Sequence, residues 1–264
     1  WQMDQNQILD LLHQVASGQL SLTDAQSVIS ARMQAQVTPD LTGDEVTMDL
    51  DREQRCGFPE VIYGENKDAS TIVDILRTQY EAGQLSLVTR VSESKGQHVV
   101  ECLPHILFNA KSRTLRSVVV PAEKLKGNIT IVTAGTSDLP VAEEARETLL
   151  WMGVEPRIIH DIGVAGPQRL LDHRAQLRAA DILIVVAGME GALPSVIGGH
   201  VDSPIIAVPT SVGYGTALGG ITALLGMLNS CASNVVVVNV DAGFKAAYAA
   251  GLMLKRLRQG GHDG

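Results

Sequence analysis

The chain has 264 residues, of which 45% are hydrophobic and only 3% aromatic, and it carries a formal net charge of −8. That length supports one large or two small domains with a real core, and a core so poor in aromatics must be built from Val, Ile, Leu and Ala, which suits a parallel sheet buried on both faces. The acidic balance argues against nucleic acid as the main partner, because phosphate contacts need clustered Lys and Arg, and no run approaches the ~18 apolar residues of a membrane span.

The opening WQMDQNQ is polar and lacks the basic-then-apolar pattern of a signal segment. Residues 7–34 are predicted to form two short helices. Ile8, Leu11, Leu12 and Val15 recur at helical spacing and Gly18 ends the first helix; Ser21 or Thr23 caps the second, which turns Ala25, Val28 and Ile29 inward. Residues 38–45, TPDLTGDE, read as a linker. A small mixed α/β unit follows, with strands expected at 46–50, 61–63, 85–91, 106–108 and 115–120, and a helix over Ala69–Glu81 closed by Gly83. Pro121 to Gly127 marks a second boundary. The three cysteines, Cys56, Cys102 and Cys231, are widely separated with no CxxC, so neither a zinc site nor a disulfide framework is expected. A reducing, cytoplasmic compartment follows.

From Asn128 onward, apolar strand runs alternate with helical runs. Strands are expected at 129–133, 157–160, 182–186, 205–208 and 235–240, and helices at 141–151, 167–179, 190–199, 216–228 and 243–257. This alternation predicts a doubly wound parallel sheet. The chain is therefore read as α/β, with two domains. Residues 1–126 hold a helical hairpin and a small mixed α/β domain, and residues 127–264 form a nucleotide-binding catalytic domain.

Ligands of such sheets bind outside the carboxyl ends of the strands, so the strand tips hold the candidates. The first tip reads Ala134-Gly135-Thr136-Ser137-Asp138. Its glycine permits close backbone approach, and its hydroxyls before a helix N-terminus suit an anion. Asp138 either accepts ribose hydroxyls or caps the helix. At the second tip, Asp161 is either catalytic or organises a glycine-rich turn. The third, Gly188-Met189-Glu190-Gly191, carries one acid among small and apolar residues. There Glu190 is expected to be partly desolvated and suited to proton transfer, or else to be an exposed acid favoured by the helix dipole. The fourth, Ser211-Val212-Gly213-Tyr214-Gly215, offers an aromatic between two glycines, for stacking on a ring or anchoring a neighbouring subunit. Cys231 follows the next helix. A free Cys is most often a small buried hydrophobe, and no adjacent Lys or His points to an activated thiolate.

These segments are similar to the aminoimidazole ribonucleotide carboxylases and their relatives. AGTSD, AGMEGALPSVIGGH and PIIAVPTSVGYG follow that family's phosphate- and ribose-binding layout over residues 128–258. The longer strings DIGVAGPQRLLD, AVPTSVGYGTALGGITALLGMLNSCA and VVNVDAGFKAA, with RCGFPEVIYGENK and GQLSLTDAQ nearer the N-terminus, resemble one branch over nearly the whole chain. That branch is the pyridinium-3,5-biscarboxylic acid mononucleotide synthase (LarB) family. Two departures separate it from the purine-pathway enzymes. Val164 and Ala165 stand where those enzymes carry a His-Arg pair, and neither can move a proton or hold a phosphate by its side chain. Gly135 stands at the family's first phosphate-binding serine, which shifts that contact to backbone or to Thr136 and Ser137.

The resemblance implies carboxylation of the pyridinium ring of nicotinic acid adenine dinucleotide at C5, followed by hydrolysis of the phosphoanhydride with release of AMP. The product belongs to the synthesis of the nickel-pincer nucleotide of lactate racemase, with no nickel needed at this step. Cys231 is implied as the nucleophile and Glu190 as the base. Gly135, Thr136, Ser137, Asp138, Asp161, Gly188, Ser211, Gly213, Tyr214 and Gly215 are then the candidate substrate contacts in this domain. In the N-terminal domain Arg55, Glu60, Lys67 and Arg90 are candidates for the phosphates or carboxylate, against the alternative of solvated surface charge. Carbon dioxide or bicarbonate is the co-substrate, and a divalent cation, magnesium, is expected at the hydrolytic step, with its ligands unassigned. A homo-oligomer, as large as an octamer, is implied. Two other functions compete: an aminoimidazole ribonucleotide carboxylase or mutase, and a non-catalytic nucleotide-binding scaffold.

Overall fold

The computed structural model describes residues 13–15, 17, 20–27, 48–119, 121 and 124–259. The linker predicted at 38–45 and most of the first predicted helix lie outside them. Residues 22–27 are helical, and Ser21 caps that turn, its Oγ accepting from the Asp24 N–H at 3.1 Å. Two compact units divide the chain. One comprises the described residues up to Glu60 together with Ile75–Gln84; the other comprises Val61–Asp74 and the chain from Leu85 onward. Both β-sheets lie in the second unit, on either side of the boundary expected at residue 126.

The strand expected at 46–50 does not form over its described part. The Asp49 N–H is taken by the Glu60 carboxylate at 3.0 Å rather than by a neighbouring strand, and the chain turns into α1 (Arg52–Cys56). The small sheet has four strands: β1 (Ile62–Tyr63), β2 (Leu87–Thr89), β3 (Ile106–Asn109) and β4 (Thr114–Ser117), in the order β1-β2-β4-β3. β1 and β2 are parallel and need a crossover, which α2 (Ala69–Glu81) supplies. The other pairings are antiparallel. Helix α3 (Glu93–Cys102) escaped sequence reading because it buries only Gly96 and Val99, too few for a visible period.

The large sheet is wholly parallel, in the order β6-β5-β7-β8-β9. Its strands are β5 (Ile129–Thr133), β6 (Arg157–Ile159), β7 (Ile182–Ala187), β8 (Ile205–Pro209) and β9 (Val235–Val237). The connecting helices are α4 (Leu139–Trp151), α5 (Pro167–Asp172), α6 (Arg174–Arg178), α7 (Leu193–Gly198), α8 (Ile221–Leu228) and α9 (Gly243–Gln259). Val132, Leu183, Val185, Ala187 and Ala207 face Leu170, Leu177, Leu193, Ile197 and Met227 of α5 to α8. The alternate residues Ile131, Ile184, Val186 and Ile206, also buried, point to the other face, which α4 and α9 cover. Two helices depart from expectation. The run at 167–179 breaks at His173, and the run at 216–228 opens as a 3-10 turn (Gly215–Gly220) with Leu218 left-handed. No helix among the described residues is long and apolar enough to cross a membrane.

Helix α4 is packed on both sides. One side covers the large sheet, while the other meets β2 and β4. Two acids of α4 are buried there, and each pairs with an arginine of the small sheet. Glu147 accepts from Arg116 Nε at 2.8 Å, and Glu144 lies 3.4 Å from Arg90 Nε.

Candidate active site

The strand order reverses between β5 and β7, so the crevice at their carboxyl ends is the expected ligand site. Asp138 occupies its floor and is 3% exposed. One carboxylate oxygen accepts from Thr210 Oγ1 at 2.7 Å and the other from the Gly135 N–H at 2.9 Å; the Gly188 N–H also bonds to it. Burial raises its pKa, against the pull of these donors. Asp138 thus ties the tips of β5, β7 and β8 together. Of its two sequence readings, ribose acceptor or helix cap, it fills neither as stated: it makes no side-chain cap bond to α4, and its engaged, buried oxygens make it an internal brace. Thr136 and Ser137, beside it, are exposed and free to face a ligand.

Glu190 follows the second of its two sequence readings, that of an exposed acid. Its side chain is exposed, since the Gly188–Gly191 turn lifts it off the β7 tip, so burial does not desolvate it. The turn itself is held tightly. A Cβ on Gly226 of α8 would lie 2.5 Å from the Glu190 carbonyl oxygen, and one on Gly191 would lie 2.7 Å from that of Ala223. Glycine at these positions lets α8 pack directly on the turn.

Cys231 is exposed, as are the other two cysteines. It does not sit at a carboxyl tip, because it lies in the connection from α8 to the amino end of β9. Two contacts draw that connection alongside α7. Ser230 Oγ lies 2.7 Å from Ser195 Oγ in the first turn of α7, and the Ala232 methyl packs where Gly198 has no side chain. Glu190 lies three residues before α7, and Cys231 runs alongside that helix between the Ser195 and Gly198 contacts. Among the described residues neither has a hydrogen-bond or ion-pair partner, unlike most acids around them.

At the remaining tips, Asp161 holds Arg169 Nη1 at 2.6 Å, both side chains about half exposed, and its own N–H donates to Thr133 Oγ1 at 3.2 Å. It organises the turn. Ser211 is exposed, and its N–H donates to Asp241 Oδ1 at 2.8 Å. Tyr214 is 82% exposed, between Gly213 and Gly215, which are exposed as well. Of the N-terminal candidates, Arg55 pairs with Asp49 and Glu60 bonds to the Asp49 N–H, both within the smaller compact unit. Lys67 is half-buried in the Gly64–Lys67 turn. Arg90 reaches the Glu144 carboxylate and donates to the Asp241 carbonyl.

Backbone strain marks the same region. Among the described residues, the non-glycine residues with left-handed φ are Arg90, Arg113, Asp161, Met189, Leu218 and Asp241, all but Leu218 close to a strand end. Such conformations cost about 1–3 kcal/mol each and gather at functional sites. Sequence reading missed Arg113, Lys95, Tyr63 and Asp241. No spacing connects them, but the exposed tips of β1 and β9 could have drawn attention to two of them. Among the described residues no three acids, histidines or cysteines converge on a metal.

Comparison with known proteins adds the following. Residues 40–118 match the LarB/PurE-like N-terminal domain, and residues 128–259 match the AIR carboxylase family. An uncharacterized protein of Methanocaldococcus jannaschii is 38% identical over 261 residues, covering 93% of this chain and 96% of that protein. An N5-carboxyaminoimidazole ribonucleotide mutase of the same organism is 32% identical over 126 residues, 46% of this chain and 75% of that protein. A crystal structure of Treponema denticola PurE aligns at a TM-score of 0.40 and 19% identity, covering 52% of this chain and 92% of that one.

Proposed function

The chain belongs to the AIR carboxylase family in its LarB/PurE-like form, and we propose that it carboxylates the pyridinium ring of nicotinic acid adenine dinucleotide at C5 and then cleaves the phosphoanhydride to release AMP, within nickel-pincer nucleotide synthesis. What supports this reading is that the family's nucleophile and base positions, Cys231 and Glu190, are both exposed and uncommitted.

A pyridinium ring is electron-poor and does not attack carbon dioxide. The Cys231 thiolate adds to C4, forming a C–S bond and pushing a ring electron pair onto nitrogen; this is covalent catalysis that turns an electrophile into a nucleophile. The dihydropyridine so formed is enamine-like at C5, which attacks carbon dioxide and forms the new C–C bond. Glu190 takes the C5 proton, the freed electron pair re-forms the ring double bond, and the thiolate leaves C4 as aromaticity returns. Solvent exposure of Glu190 lets it pass that proton on to water. The Thr136 and Ser137 hydroxyls, on the rigid floor that Asp138 braces, are the contacts for the ring-side phosphate. Magnesium belongs to the proposal as a companion of the substrate's phosphates; the described side chains form no cage for it, and no step is assigned to it.

Val164 and Ala165 distinguish this reading from the purine-pathway reaction of the mutase relative, since neither side chain can carry a proton. A homo-oligomer is part of the proposal: Tyr214, Leu225 and Leu228 are exposed apolar residues on and before α8. The test incubates the protein with nicotinic acid adenine dinucleotide, bicarbonate and magnesium, and follows products by mass spectrometry. A doubly carboxylated pyridinium mononucleotide and AMP are expected. Cys231→Ala abolishes the product and Glu190→Gln nearly does so. Full activity in Cys231→Ala overturns the mechanism. Consumption of aminoimidazole ribonucleotide instead would assign the chain to the mutase reaction, and nucleotide binding without turnover would make it a scaffold.

A further inference from the structure

The small sheet presents a cationic edge that the reaction above leaves unused. β1 and β2 run parallel while β4 runs antiparallel to β2, so the end of β1, the end of β2 and the start of β4 meet at one edge. Tyr63 and Glu65 lie there at the first position, Arg90 at the second and Arg113 at the third. Lys95 of α3 joins them. Its Nζ donates to the main-chain carbonyls of Glu65 at 2.8 Å and Gly64 at 3.3 Å.

Arg113 is poorly satisfied for a guanidinium with five donors. Its contacts are long: 3.3 Å to the Val91 carbonyl, 3.5 Å to the Arg90 carbonyl, and 3.9 Å to the Glu65 carboxylate. Its side chain is 46% exposed. The Tyr63 ring is half exposed while its hydroxyl bonds to Glu65. Arg90 and Arg113 are both left-handed, φ 60° and 57°, a strain that glycine would relieve at no steric cost. Arg90 is already paired with Glu144, so Arg113 and Lys95, beside the one exposed Glu65 carboxylate, are the two cations that an anion would meet.

This edge is continuous with the strand tips. Arg90 donates to the carbonyl of Asp241, and the Asp241 carboxylate receives the N–H of exposed Ser211 at the β8 tip. Resting on the reading above, we infer that Arg113 and Lys95 form the subsite for the phosphate of the adenylate half of the dinucleotide, with the Tyr63 ring available to the base. A guanidinium and an ammonium on one anion give charge-assisted bonds, and an aromatic face accepts a nucleobase without reading its edges. One end of the substrate then lies over the β5–β7 crevice and the other on the small sheet, which gives the N-terminal domain a role in holding the leaving nucleotide.

The test titrates AMP, and separately nicotinic acid mononucleotide, into the whole protein by calorimetry. Arg113→Gln and Lys95→Gln are each expected to weaken AMP binding at least tenfold, about 1.4 kcal/mol, and to leave the mononucleotide's affinity within twofold. Arg113→Lys should retain much of the AMP affinity, and Tyr63→Ala should lower it without altering its salt dependence. Because Arg113 and Lys95 each also bond the main chain, a thermal melt of each variant separates loss of the subsite from loss of the fold. Absence of AMP binding by the wild type, or wild-type AMP affinity in both Gln variants, overturns the inference. The two readings fail separately. Arg113-dependent AMP binding without any carboxylation would sink the reaction and keep the subsite. Normal carboxylation with an unchanged KM for the dinucleotide in both variants would do the reverse.

Discussion

Gly226→Ala tests the geometry on which the reaction depends. The new methyl would sit 2.5 Å from the Glu190 carbonyl oxygen, roughly 1 Å inside ordinary van der Waals contact. The obstacle is backbone, which cannot rotate aside, so α8 and the Glu190 turn must separate. Overpacking of this kind costs about 1–3 kcal/mol, and the better helix propensity of Ala returns about 1 kcal/mol. A net loss of roughly 0–2 kcal/mol lowers the melting temperature by about 0–8 °C in a chain of this size. The effect on turnover should be larger, because α8 leads directly to Cys231. Displacement of reacting groups by about 1 Å costs on the order of a hundredfold in rate. The pair of measurements is a thermal melt and single-turnover formation of the carboxylated product, with Gly199→Ala as the control. A Cβ at Gly199 meets only the Val196 carbonyl at 3.6 Å, so both readouts should stay near wild type. If Gly226→Ala turns over at the wild-type rate with a lowered melting temperature, the Glu190 turn and the Cys231 connection do not work as one unit, and the mechanism loses its structural basis.

Two further predictions concern the buried acids beneath the site. Burial, more than any other influence, raises the pKa of Glu144 above the usual 4.5, with Arg90 and the Phe244 N–H opposing it. The folded state therefore holds that proton more tightly than the unfolded chain, and stability falls as pH rises from about 4.5 through the folded-state pKa. Glu144→Gln removes this dependence, so wild-type stability minus variant stability should shrink with rising pH in urea unfolding; a difference that grows with pH contradicts the assignment. Thr210→Val takes the hydroxyl from Asp138 Oδ1 and leaves a buried carboxylate short of one donor, at about 1–3 kcal/mol. Asp138 should then hold its proton more firmly still, so the destabilisation in urea unfolding should grow as pH rises; a destabilisation that shrinks with rising pH contradicts the assignment.

The division of labour among the strand tips has a common physical basis. A parallel sheet leaves several N–H groups and turns at its carboxyl edge to be satisfied; Asp138 and Asp241 each take an N–H, and Asp161 holds its turn through Arg169. An acid used in this way holds the tips still. An acid lifted clear of them, as Glu190 is, remains available for proton transfer, and the same separation applies to the arginines. Arg116 locks onto Glu147 with both side chains about nine-tenths buried, whereas Arg113 keeps half of its surface open to solvent.

By itself the sequence determined the parallel sheet. The runs at 129–133, 182–186 and 205–208 are rich in Ile and Val, with Thr130 and Thr133 as their polar residues, because both of their faces are buried, and the strands formed within a residue of their expected limits. The crossover helix Ala69–Glu81 was equally legible, since helical periodicity and a closing glycine are local signals. The motif strings likewise carried the family resemblance. Only the tertiary structure decided which polar groups were already committed. It sent Asp138 inward and Glu190 outward, set Cys231 beside α7 instead of at a strand tip, and gathered Tyr63, Lys95 and Arg113 from three separate elements. Periodicity records which face of an element is buried. Hydrogen-bond partners are settled by contacts between residues far apart in the chain, such as Thr210 with Asp138, and no local pattern encodes them.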